Sequence, residues 1–243
     1  MSKQVKSQGY VMGICFLLSL ILLCLSAHVL NEKSIDTPTY FSTASTHESI
    51  PTVVIDAGHG GEDGGASSAG GVVEKDVNLA VAKALCDLLT ANGIPVVMTR
   101  TEDILLYDRG VDYKGHKKSL DLATRLAIAD NTQNCIFISI HMNAFPNTQY
   151  SGLQVWYSQG HPHAKSLAQR VQDASLALLP NNNRRIKAAN SQIYLLHHAT
   201  YPAILVECGF LSNPQEAEKL ADPAYQHALA FVIFSAICQQ VLG

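Results

Sequence analysis

The sequence predicts an α/β fold in which a single mainly parallel or mixed sheet of about six strands carries helices on both faces. Short apolar runs rich in β-branched residues alternate along the chain with longer stretches whose apolar residues recur at helical spacing. The 243 residues contain no internal repeat and are enough for one sizeable domain. We divide the chain into a short N-terminal segment (1–10), an apolar segment (11–30), a polar segment (31–51) and the folded domain (52–243).

The apolar segment predicts one N-terminal transmembrane helix ahead of the domain. Residues 11–30 contain no Asp, Glu, Lys or Arg, and about 20 apolar residues are needed to cross a bilayer as a helix. Because Lys3 and Lys6 precede this run, the positive-inside rule predicts a cytoplasmic N-terminus at 1–10 and a domain on the extracytoplasmic side of the cytoplasmic membrane. A poor cleavage site favours a retained single-pass anchor, with a cleaved signal peptide as the alternative. Residues 31–51 are polar and aperiodic, which indicates a flexible linker.

The first elements of the domain surround a glycine-rich loop. Thr52–Ile55 is read as a buried strand, and a loop of mostly glycine, alanine and serine follows it. A helix is expected to begin at Glu74 and to end at Asn92-Gly93. The later features, in chain order, are a strand at 94–99, a charged surface loop at 101–119, a helix around 122–129, a strand at 135–140, a strand at 153–157, a helix at 164–178, apolar runs at 193–196 and 203–206, and a last helix at 223–242.

Three predicted strands lead to a side chain that can bind a metal or move a proton, namely His59, His141 and Glu207. The working residues of such sheets gather beyond the carboxyl ends of the strands, so we expect these three to lie together. With Glu74 at the start of its helix, two histidines and a carboxylate form the ligand set of a catalytic zinc. Glu207 would then carry the proton, with a structural ion pair as its alternative role. The rival histidines, which lack a supporting carboxylate and are expected to face solvent, are His161, His163, His197 and His198.

Charge and motif patterns exclude several classes of partner. The net charge of −3 and the lack of a long basic run argue against nucleic acid. The glycine-rich loop has neither the Gly-Lys-Ser/Thr of a phosphate-binding loop nor a clean dinucleotide fingerprint, so no nucleotide is expected. The six cysteines contain no C-x-x-C motif and are read as core thiols, with disulfides neither required nor excluded.

Four ordered motifs carry a resemblance to a known family. They are Val-Val-Ile-Asp-Ala-Gly-His-Gly-Gly at 53–61 with Asp63 and the Gly-Gly-Ala at 64–66, then Glu74, then Ser-Ile-His-Met-Asn-Ala at 139–144, and Val-Glu-Cys-Gly-Phe-Leu-Ser-Asn at 206–213. They resemble the zinc-dependent N-acetylmuramoyl-L-alanine amidases over almost all of residues 52–243. The resemblance implies that His59, Glu74 and His141 hold one Zn²⁺ per domain. It also implies that Glu207 is catalytic, and that the substrate is the amide bond between N-acetylmuramic acid and L-alanine of the peptidoglycan stem peptide.

The same resemblance extends to two further residues and to a subfamily. Arg125 occupies a motif position for which a structural role is expected, with a contact to substrate as the alternative. Asn143 is expected either to orient His141 or to touch substrate. The sequence shows no wall-binding repeat and no inserted autoinhibitory helix, and it most resembles the short membrane-anchored amidases of spore cortex maturation and germination. Targeting would then come from the membrane anchor or a partner, and the sequence leaves open whether an activator protein is required.

Two other functions stay open. A different zinc hydrolase, such as a carboxypeptidase of stem peptides, would need an arginine clamp for a terminal carboxylate, for which Arg184 and Arg185 are the candidates. A catalytically inactive peptidoglycan-binding module would be expected to have lost a ligand or Glu207, and none of these residues is missing.

Overall fold

The computed structural model describes residues 50–108, 110 and 114–241. The predicted anchor at 11–30, and the predicted linker as far as residue 49, lie outside the described residues. Within the described part of the chain, none of the helices combines the length and the apolar character that crossing a membrane requires.

A single mixed sheet of six strands forms the centre of this segment. Its strands are β1 (Thr52–Ala57), β2 (Val96–Met98), β3 (Cys135–Asn143), β4 (Gln154–Tyr157), β5 (Lys187–Ala188) and β6 (Ala203–Phe210). They lie in the order β2-β1-β3-β6-β4-β5. β4 is antiparallel to β6, and the other neighbouring pairs are parallel. The predicted α/β class with one mainly parallel or mixed sheet is confirmed.

Helices cover both faces of the sheet. They are α1 (Glu74–Ala91), α2 (Lys117–Asp130), α3 (Pro162–Ala174), α4 (Tyr194–His198), α5 (Pro214–Leu220) and α6 (Pro223–Val241), with a 3-10 turn at Ser175–Ala177. Successive residues of a strand point to opposite faces. Val53 and Ile55 therefore pack in a large apolar core with α1, α3 and α6, which we call the α1 face. Val54 packs in a smaller core with α2 and α4, which we call the α2 face.

Helix α1 has the limits that its sequence predicts. It begins at Glu74 and ends at Ala91, with Asn92 as its C-terminal cap. The side-chain amide of Asn92 donates to the carbonyl of Leu88 at 2.8 Å. Gly93 has φ +72°, a left-handed conformation that glycine adopts without steric cost. The predicted stop signal therefore acts through both of its residues.

The structure differs from the sequence prediction in its shortest elements. The apolar run at 193–196 lies in the short helix α4, where Leu195 and Leu196 are buried on the α2 face. Five residues are too few for a helical period to show in sequence. The two-residue strand β5 and the helix α5 gave no signal strong enough to predict them. The predicted surface loop at 101–119 is shorter than expected, because α2 already begins at Lys117.

The parallel strands bring the predicted site residues to one edge of the sheet. β1 and β3 pair in register up to Ala57 opposite Ile140. β3 and β6 pair up to His141 opposite Glu207, and the register shifts immediately afterwards. His141 and Glu207 alternate with the apolar residues of the α1 face and so point toward the α2 face. The carboxyl ends of β1, β3 and β6 are thus neighbours, as predicted.

Candidate metal centre

The loop after β1 directs one histidine toward the start of α1. His59 lies two residues beyond the strand and has φ +60°, which is uncommon for a residue other than glycine. Its Nε2 is 3.2 Å from Oε1 of Glu74, the first residue of α1. Its Nδ1 is 2.9 Å from Oδ2 of Asp63, although the two groups are not aligned as a hydrogen bond. The imidazole is therefore held between two carboxylates.

The second histidine reaches the same carboxylate from β3. Nδ1 of His141 is 2.9 Å from Oε1 of Glu74. The rings of His59 and His141 stand edge to face, with centroids 5.0 Å apart. One donor atom from each of the three residues lies within 4.8 Å of the others, a grouping that could hold a metal ion. The structure thus brings together the three residues that the sequence predicts as ligands.

The Glu74 carboxylate is fixed and ionised. Its Oε2 accepts a hydrogen bond from the backbone N–H of Ala66 at 2.8 Å, and its Oε1 accepts one from Met142 at 3.1 Å. Burial alone would raise the pKa of Glu74, but hydrogen bonds from His141 and His59 outweigh it and hold that pKa well below its ordinary value. The site therefore presents a negative charge between two imidazole nitrogens.

Two glycines leave the space that these side chains occupy. A Cβ at Gly58 would lie 2.2 Å from Nε2 of His141. A Cβ at Gly65 would lie 2.5 Å from Oε2 of Glu74 and 2.7 Å from the His59 ring, and Gly65 also has φ +66°. Larger residues at either position would displace a candidate ligand. This gives a physical reason for the glycine content of the loop around the site.

Glu207 lies beside this group on β6 and has a different environment. Its Oε2 is buried and has no hydrogen-bond partner among the described residues. Burial raises the pKa of Glu207 to about 7, since it outweighs the opposing charge of His141. The carboxyl group can thus exist in both protonation states near neutral pH, as a group that takes and returns protons must.

A cleft of about 260 Å³ opens over these residues on the α2 face. Its walls include His59, His141 and Glu207 from the strand ends, together with Lys118 of α2 and Tyr194 of α4. The cleft is bordered by the short helix that the sequence did not predict. The two candidate histidine ligands and the candidate proton carrier therefore line the same cleft.

Arg125 lies beneath the site in a buried polar network. The side chain is 1% exposed, and its Nη1 donates to Oδ1 of Asp56 at 2.7 Å. Its Nε donates to Oδ2 of Asp121 at 2.8 Å, and its Nη2 to the carbonyl of His59 at 2.7 Å. Burial would raise the pKa of Asp56, but Arg125 and Ser139 outweigh it and hold that pKa below its ordinary value. These contacts fit the structural role expected for Arg125.

The other candidates from the sequence lie farther from the centre. Asn143 pairs with Phe210 beyond the register shift, and it is not among the residues that line the cleft. The rival histidines do not belong to the grouping that could hold a metal. His161 is half-buried, and the other three, His163, His197 and His198, are exposed. Four cysteines are free thiols, namely Cys86, Cys135, Cys208 and Cys238.

Two residues near the site had no assigned role in the sequence. Asp63 lies four positions after His59 in the first motif, and this short spacing could have indicated that its carboxylate lies next to the imidazole. Arg100 lies two residues after the end of β2 and is 2% exposed. Its guanidinium group donates hydrogen bonds to the carbonyls of Ala57 and Gly58. Nothing in the local pattern around Arg100 predicts that it is buried, because these two carbonyls lie more than forty positions away.

Comparison with known proteins agrees with the geometry. The family described as N-acetylmuramoyl-L-alanine amidase matches residues 53–239. A germination-specific N-acetylmuramoyl-L-alanine amidase of Bacillus subtilis is 38% identical over 185 residues, which cover 76% of this chain and 77% of that protein. The CwlD amidase of Clostridioides difficile, solved in complex with the GerS lipoprotein, superimposes with a TM-score of 0.74 at 36% identity, covering 79% of this chain and 98% of that one. The AmiC2 amidase of Nostoc punctiforme gives a TM-score of 0.67 at 30% identity, with 79% and 98% covered. The resemblance inferred from the motifs is confirmed, and the chain belongs to the N-acetylmuramoyl-L-alanine amidases.

Proposed function

We propose that this chain hydrolyses the amide bond between N-acetylmuramic acid and L-alanine in peptidoglycan, using one zinc ion and Glu207 as general acid and base. The observation that carries the proposal is the meeting of His59, Glu74 and His141 within 4.8 Å, beside a buried carboxyl group that has no hydrogen-bond partner on its Oε2 among the described residues. Two imidazoles and one carboxylate are a donor set of catalytic zinc sites. Calcium and magnesium prefer oxygen ligands, which the two histidines do not offer.

The donor atoms are arranged to receive a cation. Oε1 of Glu74 lies between the two imidazole nitrogens, while Oε2 is anchored by the backbone of the loop. The glycines at 58 and 65 leave room for the rings and the carboxylate. A zinc ion held there would supply a Lewis acid for the scissile carbonyl and lower the pKa of a water molecule.

Glu207 would handle the protons of the reaction. Its carboxylate takes a proton from the attacking water at Oε2 and returns it to the nitrogen of the leaving L-alanine. The pKa of about 7 in the metal-free protein means that both forms are populated near neutral pH. A cation nearby favours the ionised form, so the pKa of Glu207 should fall when the metal binds, which leaves the group as a base at the start of the cycle.

The alternatives receive less support from the structure. Arg184, a candidate clamp for a carboxypeptidase, stacks on Phe210 with 4.3 Å from its Cζ to the ring centroid and donates to the carbonyl of Ser151. Neither it nor Arg185 lines the cleft at Glu207. An inactive binding module would have no reason to retain the three residues that could hold a metal together with Glu207 in the adjoining cleft.

A place in spore cortex maturation or germination is a further part of the proposal. The support is that one relative carries the words germination-specific in its name and shares 38% identity. The solved complex of CwlD with a lipoprotein likewise supports an activator as a partner of this chain. The single-pass anchor at 11–30, and a location on the outer side of the cytoplasmic membrane, are proposed from sequence alone.

Mass spectrometry of the reaction products tests the proposal. Purified full-length protein is incubated with peptidoglycan sacculi, with Zn²⁺ and with a chelator in parallel. Cleavage should give free stem peptides that begin with L-alanine, together with unsubstituted glycan strands, and chelation should abolish both. A matched control is Glu218→Gln, which changes an exposed glutamate of α5 and should leave the products unaltered. Release of a terminal amino acid from intact stems would instead show a carboxypeptidase.

A further inference from the structure

The backbone around His59 accepts hydrogen bonds from two buried arginines. The three consecutive carbonyls at 57, 58 and 59 each accept a hydrogen bond from a guanidinium group. Arg100 donates from Nε to Ala57 at 2.8 Å and from Nη2 to Gly58 at 3.0 Å. Arg125 donates from Nη1 to Ala57 and from Nη2 to His59, both at 2.7 Å. The turn that carries His59, the first candidate ligand, is therefore held by hydrogen bonds from two buried, positively charged side chains.

Arg100 also connects this turn to the helix that carries the second candidate ligand. Its Nη2 donates to the carbonyl of Lys75 at 2.8 Å, and Lys75 directly follows Glu74 in α1. Its Nη1 donates to the carbonyl of Glu102 at 3.0 Å, which anchors the arginine in its own loop. One planar side chain thus sets the distance between the His59 turn and the first turn of α1.

Arg125 supports the conformation of His59 itself. The backbone of His59, with φ +60°, adopts a conformation that is rare for residues other than glycine. Such a conformation persists only where surrounding contacts hold it in place. The hydrogen bond from Arg125 to the His59 carbonyl is one such contact. Arg125 is in turn held by Asp121 and Asp56, with Asp121 accepting from both Nε and Nη2.

Both arginines are almost completely buried. Arg100 is 2% exposed and Arg125 is 1% exposed. A guanidinium group has five N–H donors, and for Arg125 five hydrogen bonds to Asp56, Ala57, His59 and Asp121 account for them. The hydrogen bonds of both side chains therefore go to groups of the protein itself, and they include the backbone carbonyls at 57–59.

We propose that Arg100 and Arg125 are positioning residues of the metal centre, which hold the His59 turn and the start of α1 at ligand spacing before any metal binds. The inference rests on the proposed function, because it takes His59 and Glu74 as zinc ligands. Lysine keeps the charge but has a single nitrogen, which cannot reproduce the planar fork that spans the carbonyls of Ala57, Gly58 and Lys75. Contacts behind metal ligands typically contribute about 10- to 100-fold in metal affinity, and we expect Arg100→Lys to lose that much.

Zinc affinity at matched stability is the decisive measurement. Purified full-length protein is stripped of metal and titrated with Zn²⁺ against a chromophoric chelator. Two controls accompany Arg100→Lys. Arg170→Lys changes an exposed arginine of α3, and Val171→Ala truncates a fully buried valine of the α1 face, which lowers stability away from the site. Both controls should bind Zn²⁺ as tightly as the unaltered protein, whereas Arg100→Lys should bind about 10- to 100-fold more weakly.

A second readout needs no zinc and covers the case in which Arg100→Lys fails to fold. Hydrogen–deuterium exchange on the metal-free protein should show residues 57–66 protected before metal is added, and Arg125→Lys should lose that protection. Unprotected exchange of this segment in the unaltered protein would overturn the proposal, as would unchanged zinc affinity in Arg100→Lys. An equal loss of affinity in Val171→Ala would assign the effect to general stability and also overturn it. If the unaltered protein binds no Zn²⁺ while the segment is protected, the proposed function fails instead.

Discussion

The two faces of the sheet are stabilised in different ways. On the α1 face, Val77, Val81 and Leu85 of α1 are almost fully buried among apolar side chains of the strands, α3 and α6. On the α2 face the apolar core is smaller, and charged groups such as Asp56 and Arg125 are buried close to the ends of the strands. One face therefore depends on the area of apolar surface removed from water, and the other on hydrogen bonds between fixed polar groups.

This difference separates stability from function within one sheet. A buried ion pair contributes little net stability, because desolvation of both charges offsets their attraction. It does fix the direction of each donor and acceptor, and a metal site needs that fixed geometry. The α1 face contains the larger apolar core, and the polar end of the α2 face contacts the backbone and side chains around His59, His141 and Glu207. Changes on the two faces should therefore affect different measurements.

The largest effect on function should come from a single methyl group beneath the site. In Gly58→Ala the new Cβ would lie 2.2 Å from Nε2 of His141, so the imidazole must move away from Glu74. We expect zinc affinity to fall by about 100-fold or more and amidase activity to be lost with it. Gly70→Ala is the matched control, because this glycine of the same loop has no atom closer than 3.8 Å to the added Cβ. Retained zinc binding in Gly58→Ala would contradict the described packing of His141.

A substitution in the apolar core of the α1 face should lower stability but leave zinc affinity nearly unchanged. Leu85→Ala removes a fully buried side chain from the α1 face and should lower the free energy of unfolding by about 2–5 kcal/mol. Zinc affinity should stay within roughly threefold, since Leu85 lies about three helical turns beyond Glu74 in α1. Chemical denaturation and metal titration of the same preparation measure both. Parallel losses of stability and affinity would show that the two faces are not separate.

A smaller effect should appear in the pH dependence of stability of the metal-free protein. The pKa of Glu207 rises from 4.5 to about 7 on folding, so the folded state binds its proton more tightly than the unfolded chain does. The contribution of Glu207 to stability is therefore complete below about pH 4.5 and is lost as the pH rises through about 7. The loss is about 3 kcal/mol, because one pKa unit corresponds to about 1.4 kcal/mol.

Comparison with Glu207→Gln isolates this contribution. The glutamine variant does not titrate, so the difference in unfolding free energy between the two proteins should change across this pH range in favour of the variant. Urea denaturation at several pH values measures it. A difference that stays constant with pH would mean that Glu207 is not buried as described.

The sequence predicts the regular parts of this fold because their signals are local. The apolar period of α1 and its Asn92-Gly93 stop both lie within the helix and its next two residues. The ends of β1, β3 and β6 could be predicted to converge because parallel strands share a direction. His59, His141 and Glu207 could then be identified because each lies at or just beyond the end of one of these strands.

The buried polar network could not be predicted in the same way. Asp56 accepts hydrogen bonds from Thr99 at 2.8 Å and from Ser139 at 2.6 Å, which are 43 and 83 positions away. Arg100 looks in sequence like an ordinary surface cation, and the motif position of Arg125 indicates a structural role but not its partners, because only the tertiary fold places carbonyls within reach of either side chain. Short elements such as β5 and α4 were missed because two to five residues carry no measurable period.

Metal content measured beside turnover in Glu207→Gln tests the central assignment most directly. Glutamine keeps the size of the side chain but cannot take a proton from water or return it to the leaving amine. The variant should retain about one equivalent of zinc, as a three-ligand site of His59, Glu74 and His141 requires, while turnover on peptidoglycan falls by about 10²- to 10⁴-fold. His59→Ala should lose both zinc and turnover. Loss of zinc in Glu207→Gln would make Glu207 a ligand, and full turnover in that variant would contradict its role in proton transfer.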